Sequence, residues 1–262
     1  MRKLGFLVAL TAVGALLGIA PAAAQTTPEV TAFCDAANTT DKAVEKVLAG
    51  GKPKQKDVQA AETALSQVES TAPPEVASTV QGVVAAVRTG FQTQKDPFEA
   101  DPSFEQNFNA LQQYRYNSCG YTKLDVTGVE YEFEGLPRTL PAGPVAIQFT
   151  DTGAEIHELD VFRVKGKDSV KKIVGLSEKE QRKKTEEVGT VFATQGQTVY
   201  NIVDLSKPGR YGVVCHLPVG STSEEAIEEA GEAHDAKSHA QEGMYATITV
   251  ESSGSTTTTA AG

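Results

Sequence analysis

Near Gly120 the hydrophobic period of this 262-residue chain changes from about 3.6 residues to two, so no single regular architecture can hold it. Upstream, Val58, Ala61, Leu65 and Val68 recur at three- and four-residue steps. Val76, Val80, Val83 and Val87 do the same, with Val84 and Phe91 widening the stripe. Pro73-Pro74 separates these two helices and places Pro74 at a helix start. An earlier helix carries Val30, Phe33, Cys34 and Ala37 and runs toward Leu48; a later one carries Phe104, Phe108 and Leu111. Residues 28–120 are therefore expected to form an up-and-down bundle of four helices. Downstream, Leu124-Val126, Val129-Tyr131-Phe133, Val145-Ile147-Phe149, His157-Leu159-Val161, Thr198-Tyr200-Ile202, Tyr211-Val213-Cys215 and Met244-Ala246-Ile248-Val250 alternate. Short alternating runs between Gly/Pro turns predict a β-sandwich or barrel over 121–251. The fold class is α+β with two domains.

The two ends read differently. Arg2 and Lys3, the apolar run Leu4 to Ile19 and Pro21-Ala22-Ala23-Ala24 have the layout of a signal peptide over 1–24. The apolar run is short of the ~20 residues of a spanning helix. No Cys follows the cleavage site, so the expectation is a secreted, extracytoplasmic chain without a lipid anchor. The Ser/Thr/Gly/Ala-rich tail 252–262 is expected to be disordered. With 24 basic and 34 acidic side chains the formal net charge is −10, which argues against a nucleic-acid partner.

All four histidines, the third cysteine and the methionine beyond the leader lie in the alternating half. Parity puts His157 on the face of Leu159 and Val161, Cys215 on that of Tyr211 and Val213, and Met244 on that of Ile248 and Val250. If these faces point inward, an imidazole, a thiol and a thioether meet near strand ends, and His239 lies on the segment feeding the last strand. Two imidazoles, a thiolate and a thioether form a soft donor set suited to copper electron transfer.

At these residues the chain resembles the cupredoxins, the type 1 blue copper proteins. Asp151-Thr-Gly-Ala-Glu-Ile-His157-Glu-Leu resembles the turn into the family's first histidine ligand. Gly209-Arg-Tyr211-Gly-Val-Val-Cys215 resembles the strand ending in the cysteine ligand. His239-Ala-Gln-Glu-Gly-Met244-Tyr-Ala-Thr-Ile-Thr-Val250 resembles the second histidine, axial methionine and closing strand. The resemblance covers about Leu124 to Glu251. It implies a Greek-key β-sandwich, one copper ion, His157, Cys215 and His239 as equatorial ligands, and Met244 as a weak axial one. The layout with a preceding helical segment is also similar to secreted proteins of actinobacteria. One departure stands out: 23 residues separate Cys215 from His239, where the family usually has a few. Lengthening a surface loop costs only about 0.6 kcal/mol per doubling, so His239 can still return to the site. His216 and His234 are possible extra metal ligands.

Three cysteines permit three pairings, each leaving one thiol over. Cys34 near the start of the first helix and Cys119 at the end of the last are the nominated disulfide, which leaves Cys215 free for metal. Ser221 to Glu242 is strongly acidic and reads as a solvated helix, or as a lid or docking face for a basic redox partner. Arg163 to Lys184, with nine Lys/Arg, reads as a solvated insertion. Enzymatic motifs are missing: no Gly-rich phosphate loop, His-Glu-x-x-His or Cys-x-x-Cys occurs, and adjacent Cys215 and His216 leave a strand on opposite faces. The expected function is one-electron transfer at copper, without enzyme activity, toward an unknown redox or envelope partner. The alternatives are a copper carrier or buffer, and a metal-free interaction module.

Overall fold

The computed structural model describes residues 26–48, 53–232 and 236–252. The expected signal peptide, the tail from 253 onward and His234 lie outside the described residues. Helix α1 (Pro28–Leu48) opens with Pro at its first position, where a missing N–H is harmless, and Thr27 Oγ1 accepts from the Val30 N–H. It is followed by α2 (Gln55–Thr71), α3 (Ala77–Thr93), the single turn α4 (Pro97–Ala100) and α5 (Phe104–Ser118). The short α4, capped by Asp96 on the Phe98 N–H, is an addition to the four expected helices. Pro74 sits in a turn and α3 begins only at Ala77, so the proline pair ends one helix without starting the next. Phe33, Leu65, Val68, Val80, Val84 and Leu111 meet in the core, the apolar faces that the spacing marks. Cys34 and Cys119 form a disulfide with Cα atoms 5.7 Å apart, tying α1 to the residue after α5. Buried Arg115 strengthens the same junction, donating to Asn38 and Asp41 of α1 at 2.8 Å each.

Nine strands follow: β1 (Thr122–Val129), β2 (Glu132–Glu134), β3 (Thr139–Pro141), β4 (Pro144–Asp151), β5 (His157–Val164), β6 (Thr185–Ala193), β7 (Thr198–Asp204), β8 (Gly209–Val214) and β9 (Tyr245–Glu251). They form two sheets, ordered β2-β1-β4-β7 and β3-β9-β8-β5-β6. β1/β4 and β3/β9 are parallel and the remaining pairs antiparallel. Val126, Ile147, Phe149, Leu159, Val161, Val213 and Ile248 fill the space between the sheets. Helix α5 packs on β7 and β4: Tyr116 and Tyr200 rings lie 5.3 Å apart, and Asn109 accepts from the Tyr200 N–H.

The basic segment is not simply solvated. It forms α6 (Val170–Val174) and α7 (Glu178–Lys184). Val170, Ile173 and Val174 are buried against Phe162, Val164 and Val214, while Lys171 and Lys172 stay exposed. Three apolar residues at helical spacing thus cover the outer face of the five-stranded sheet, and the charges form the solvent side. Between β8 and β9 lie α8 (Glu224–Glu232) and α9 (His239–Glu242).

Candidate metal centre

Strand parity does much of the placement. His157 opens β5 and is completely buried, in step with Leu159 and Val161 on the inward face. Cys215 is the first residue beyond β8 and is equally buried. Met244 immediately precedes β9 and packs with Cys215, Ile156 and Leu217 in one buried cluster. His239 is the first residue of α9, whose start is fixed by a capping box between Ser238 and Gln241.

The long insertion between Cys215 and His239 is pinched shut at its base. Pro218 and Ser238 form an antiparallel bridge, and Val219 N–H donates to the Lys237 carbonyl at 2.8 Å. His239 N–H donates to Leu217 and Ala240 N–H to Cys215, each at 2.8 Å. Met244 N–H returns to the His239 carbonyl at 2.9 Å, and Cys215 N–H to Met244 at 3.1 Å. These backbone bonds fix the His239–Met244 turn against the end of β8, so the length of the insertion does not loosen His239. Within it α8 turns Ile227 onto the cluster around Cys215 and Met244, and leaves Glu224, Glu225, Glu228 and Glu229 exposed.

Three donor atoms converge. His239 Nδ1 is 3.2 Å from His157 Nδ1 and 3.2 Å from Cys215 Sγ, and all three lie within 4.8 Å of one another. Burial pushes the Cys215 thiol up to about 12. Burial, and then the neighbouring His239, hold His157 below the usual imidazole value, so it is neutral at pH 7 and has a free ring nitrogen. The Glu158 N–H points at Cys215 Sγ from 3.4 Å, a donor that stabilises a thiolate once formed.

The outer ring nitrogens face carboxylates. His239 Nε2 lies 3.0 Å from Glu155 Oε2, so an Nε2–H donated there leaves Nδ1 as the inward lone pair. Glu155 also accepts from Tyr131 Oη at 2.9 Å and from the N–H groups of Gly220 and Ser221 at the insertion's base. Burial works against its ionisation, but these backbone donors and His239 keep its pKa below the ordinary glutamate value. His157 Nε2 is buried without a hydrogen-bond partner, with Glu130 Oε1 at 3.7 Å and Asp151 Oδ1 at 4.0 Å. Glu130 itself accepts from the Ala154 and Glu155 N–H groups. Gly153 makes this approach possible: a Cβ there would lie 2.7 Å from His157 Nε2 and collide with Glu130.

His216 stays apart from this cluster. Leaving β8 on the opposite face, it is exposed, with Nε2 3.6 Å from Asp160. Glu130, Glu155 and Tyr131 are site residues that the sequence reading missed. Glu155 pairs with His239, 84 residues away, and Glu130 and Tyr131 sit at the β1–β2 turn, so none of the three had a local signal.

The donor set fits copper: two imidazole nitrogens and a cysteine sulfur, with a methionine packed alongside, are the His2Cys-plus-Met combination of a mononuclear copper centre. Replacing Glu155 with Ala is expected to weaken copper binding about 10–100-fold by freeing His239, and Gln to lose less because its amide oxygen still accepts from Nε2–H. Competition titration against a chelator measures this; unchanged affinity in a folded Glu155→Ala protein would contradict the role.

No family model and no curated protein matches the sequence. Among solved structures, the chain is similar to reduced auracyanin from Roseiflexus castenholzii, at 18% identity over 50% of this chain and 97% of that one, with a TM-score of 0.33. It is also similar to auracyanin A of Chloroflexus aurantiacus, described as a "blue" copper protein, at 15% identity, 50% and 98% coverage and a TM-score of 0.28. A third is the McoA multicopper oxidase of Aquifex aeolicus, at 17% identity, 50% and 30% coverage and a TM-score of 0.29. Residues 122–251 form the two-sheet β-sandwich, with His157, Cys215 and His239 converging beside Met244, that the resemblance to a cupredoxin-like fold leads one to expect.

Proposed function

We propose that the chain is an exported, non-enzymatic electron carrier that holds one copper ion through His157, Cys215 and His239, with Met244 as the weak axial group. The observation that carries this reading is the convergence of His157 Nδ1, Cys215 Sγ and His239 Nδ1 in a fully buried pocket. Copper in such a site supplies a one-electron couple. The chain's part is to limit rearrangement between oxidation states. The His239–Met244 turn is locked to β8 by backbone bonds, His239 is held from behind by Glu155, and Glu158 N–H faces the sulfur. Burial excludes water from all three donors.

Export is supported by the leader-like N-terminus and by the Cys34–Cys119 disulfide, a bond that persists in oxidising compartments. Among the described residues no helix is long and apolar enough to cross a membrane. The partner is a redox protein, and the exposed glutamates of α8, carried on a helix that packs at the metal cluster, favour one with a basic face.

The site's protonation state gives a direct test. A thiol whose pKa is about 12 is protonated at pH 8, so metal binding must displace its proton, whereas a neutral His157 keeps its one proton on the ring nitrogen that does not face the metal and releases none. Copper uptake at pH 8 is expected to release about one proton per ion, and affinity is expected to rise with pH. Calorimetry in buffers of different ionisation enthalpy reads this number. Binding without proton release would place the metal elsewhere than Cys215.

A further inference from the structure

The helical region contains a cavity that the metal centre does not use. Its volume is about 350 Å3, and it runs between α1, α2, α3 and α5 to the sandwich at Val188 and Ile202. That is inside the range of about 300–1,000 Å3 typical of small-molecule sites. Its wall is mostly apolar, with Leu65, Val80, Val84 and Leu111 deep inside. Leu48 and Phe98 also line it and are 44% and 55% exposed, so an apolar rim meets solvent.

Buried polar side chains, Gln112 and Arg115 among them, interrupt the apolar wall. Gln112 is 2% exposed, and its Oε1 accepts from Arg115 Nη1 at 2.9 Å. A guanidinium offers only donors, so this contact fixes the orientation of the Gln112 amide and leaves its NH2 group over. Arg115 is 1% exposed; its Nη groups are taken by Gln112, Asn38 and Asp41, and its Nε–H has no partner. A buried donor without an acceptor, as Arg115 Nε–H is, is destabilising, and an oxygen atom entering the cavity offsets that penalty. Charge narrows the choice further. The ionisable residues of the wall are Asp41, Glu45, Asp96 and Arg115, three acidic against one basic, so an anionic ligand is repelled.

We propose that this cavity binds an uncharged, mainly apolar molecule bearing a carbonyl oxygen, which accepts from the Gln112 amide or the Arg115 Nε–H while the apolar body lies among Leu65, Val80 and Val84. The proposal is independent of copper. It is tested on the intact chain with prodan, an uncharged aromatic ketone whose emission shifts to the blue in apolar surroundings. Naphthalene and the anionic probe anilinonaphthalene sulfonate are the comparisons. Saturable binding in the order ketone, naphthalene, anion is expected. Val84→Phe, which fills the cavity, should weaken the ketone about tenfold. Gln112→Leu should weaken it about fivefold without changing naphthalene. Absence of saturable ketone binding, tighter binding of the anion, or unchanged ketone affinity in a folded Val84→Phe protein overturns the proposal. If neither variant folds, the order of the three probes on the intact chain decides.

Discussion

Replacing Cys215 with Ser is expected to abolish the intense visible thiolate-to-copper band and to lower copper affinity by more than the roughly 10–100-fold typical of outer hydrogen-bond partners. The argument is one of position. Cys215 Sγ belongs to the free cysteine and lies within 4.8 Å of both imidazole donors, and the charge-transfer transition needs that thiolate. A serine hydroxyl in the same buried place is a hard, weakly acidic donor beside two nitrogens, and it brings a polar group into a pocket shared with Ile156, Leu217 and Met244. Cys215→Ala separates the two effects, since it removes the donor without burying a hydroxyl. Both variants should lose the band, and the alanine protein should remain folded without metal. Absorption spectra and chelator competition on the two variants are sufficient. A band surviving in either would remove Cys215 from the centre.

The second large effect concerns the disulfide. Cys34 and Cys119 are 85 residues apart, and linking them restricts the unfolded chain over the whole helical region. In the chain-entropy account such a loop contributes about 4–5 kcal/mol. The Cys34→Ser, Cys119→Ser double variant is therefore expected to unfold its helical region at markedly lower urea, with a stability loss of that size. The bonds from Arg115 to Asn38 and Asp41 still join α1 to α5, so the loss should be a shift in midpoint rather than failure to fold. Urea titration of the metal-free proteins by circular dichroism measures it. An unchanged midpoint would show that the bridge does not stabilise the bundle.

How far the sequence can be read depends on whether a feature is local. The change of period near Gly120 marks helices on one side and strands on the other, because burial repeats with the geometry of each element. The same parity made His157, Cys215 and Met244 visible as inward-facing residues. His239 was named as a ligand through the resemblance, but what holds it there was not legible, because the pinch at Pro218 and Ser238 is a pairing between segments that only tertiary contact creates. Glu155 and Glu130 escaped notice for the same reason: a carboxylate's role depends on which ring nitrogen another loop brings to it. In the segment from Arg163 to Lys184 the signal was present but masked. Val170, Ile173 and Val174 have helical spacing, but dense charge around them suggested solvent rather than a covering layer.

Copper titration of the wild-type chain under voltammetric and optical observation tests the central claim most directly. One ion per chain, an intense visible band, and a reversible one-electron couple that restores the full band after repeated reduction and reoxidation is the predicted result. Copper bound tightly but with no thiolate band and no reversible couple would contradict the electron-carrier reading, and failure to bind copper at all would contradict the metal centre itself.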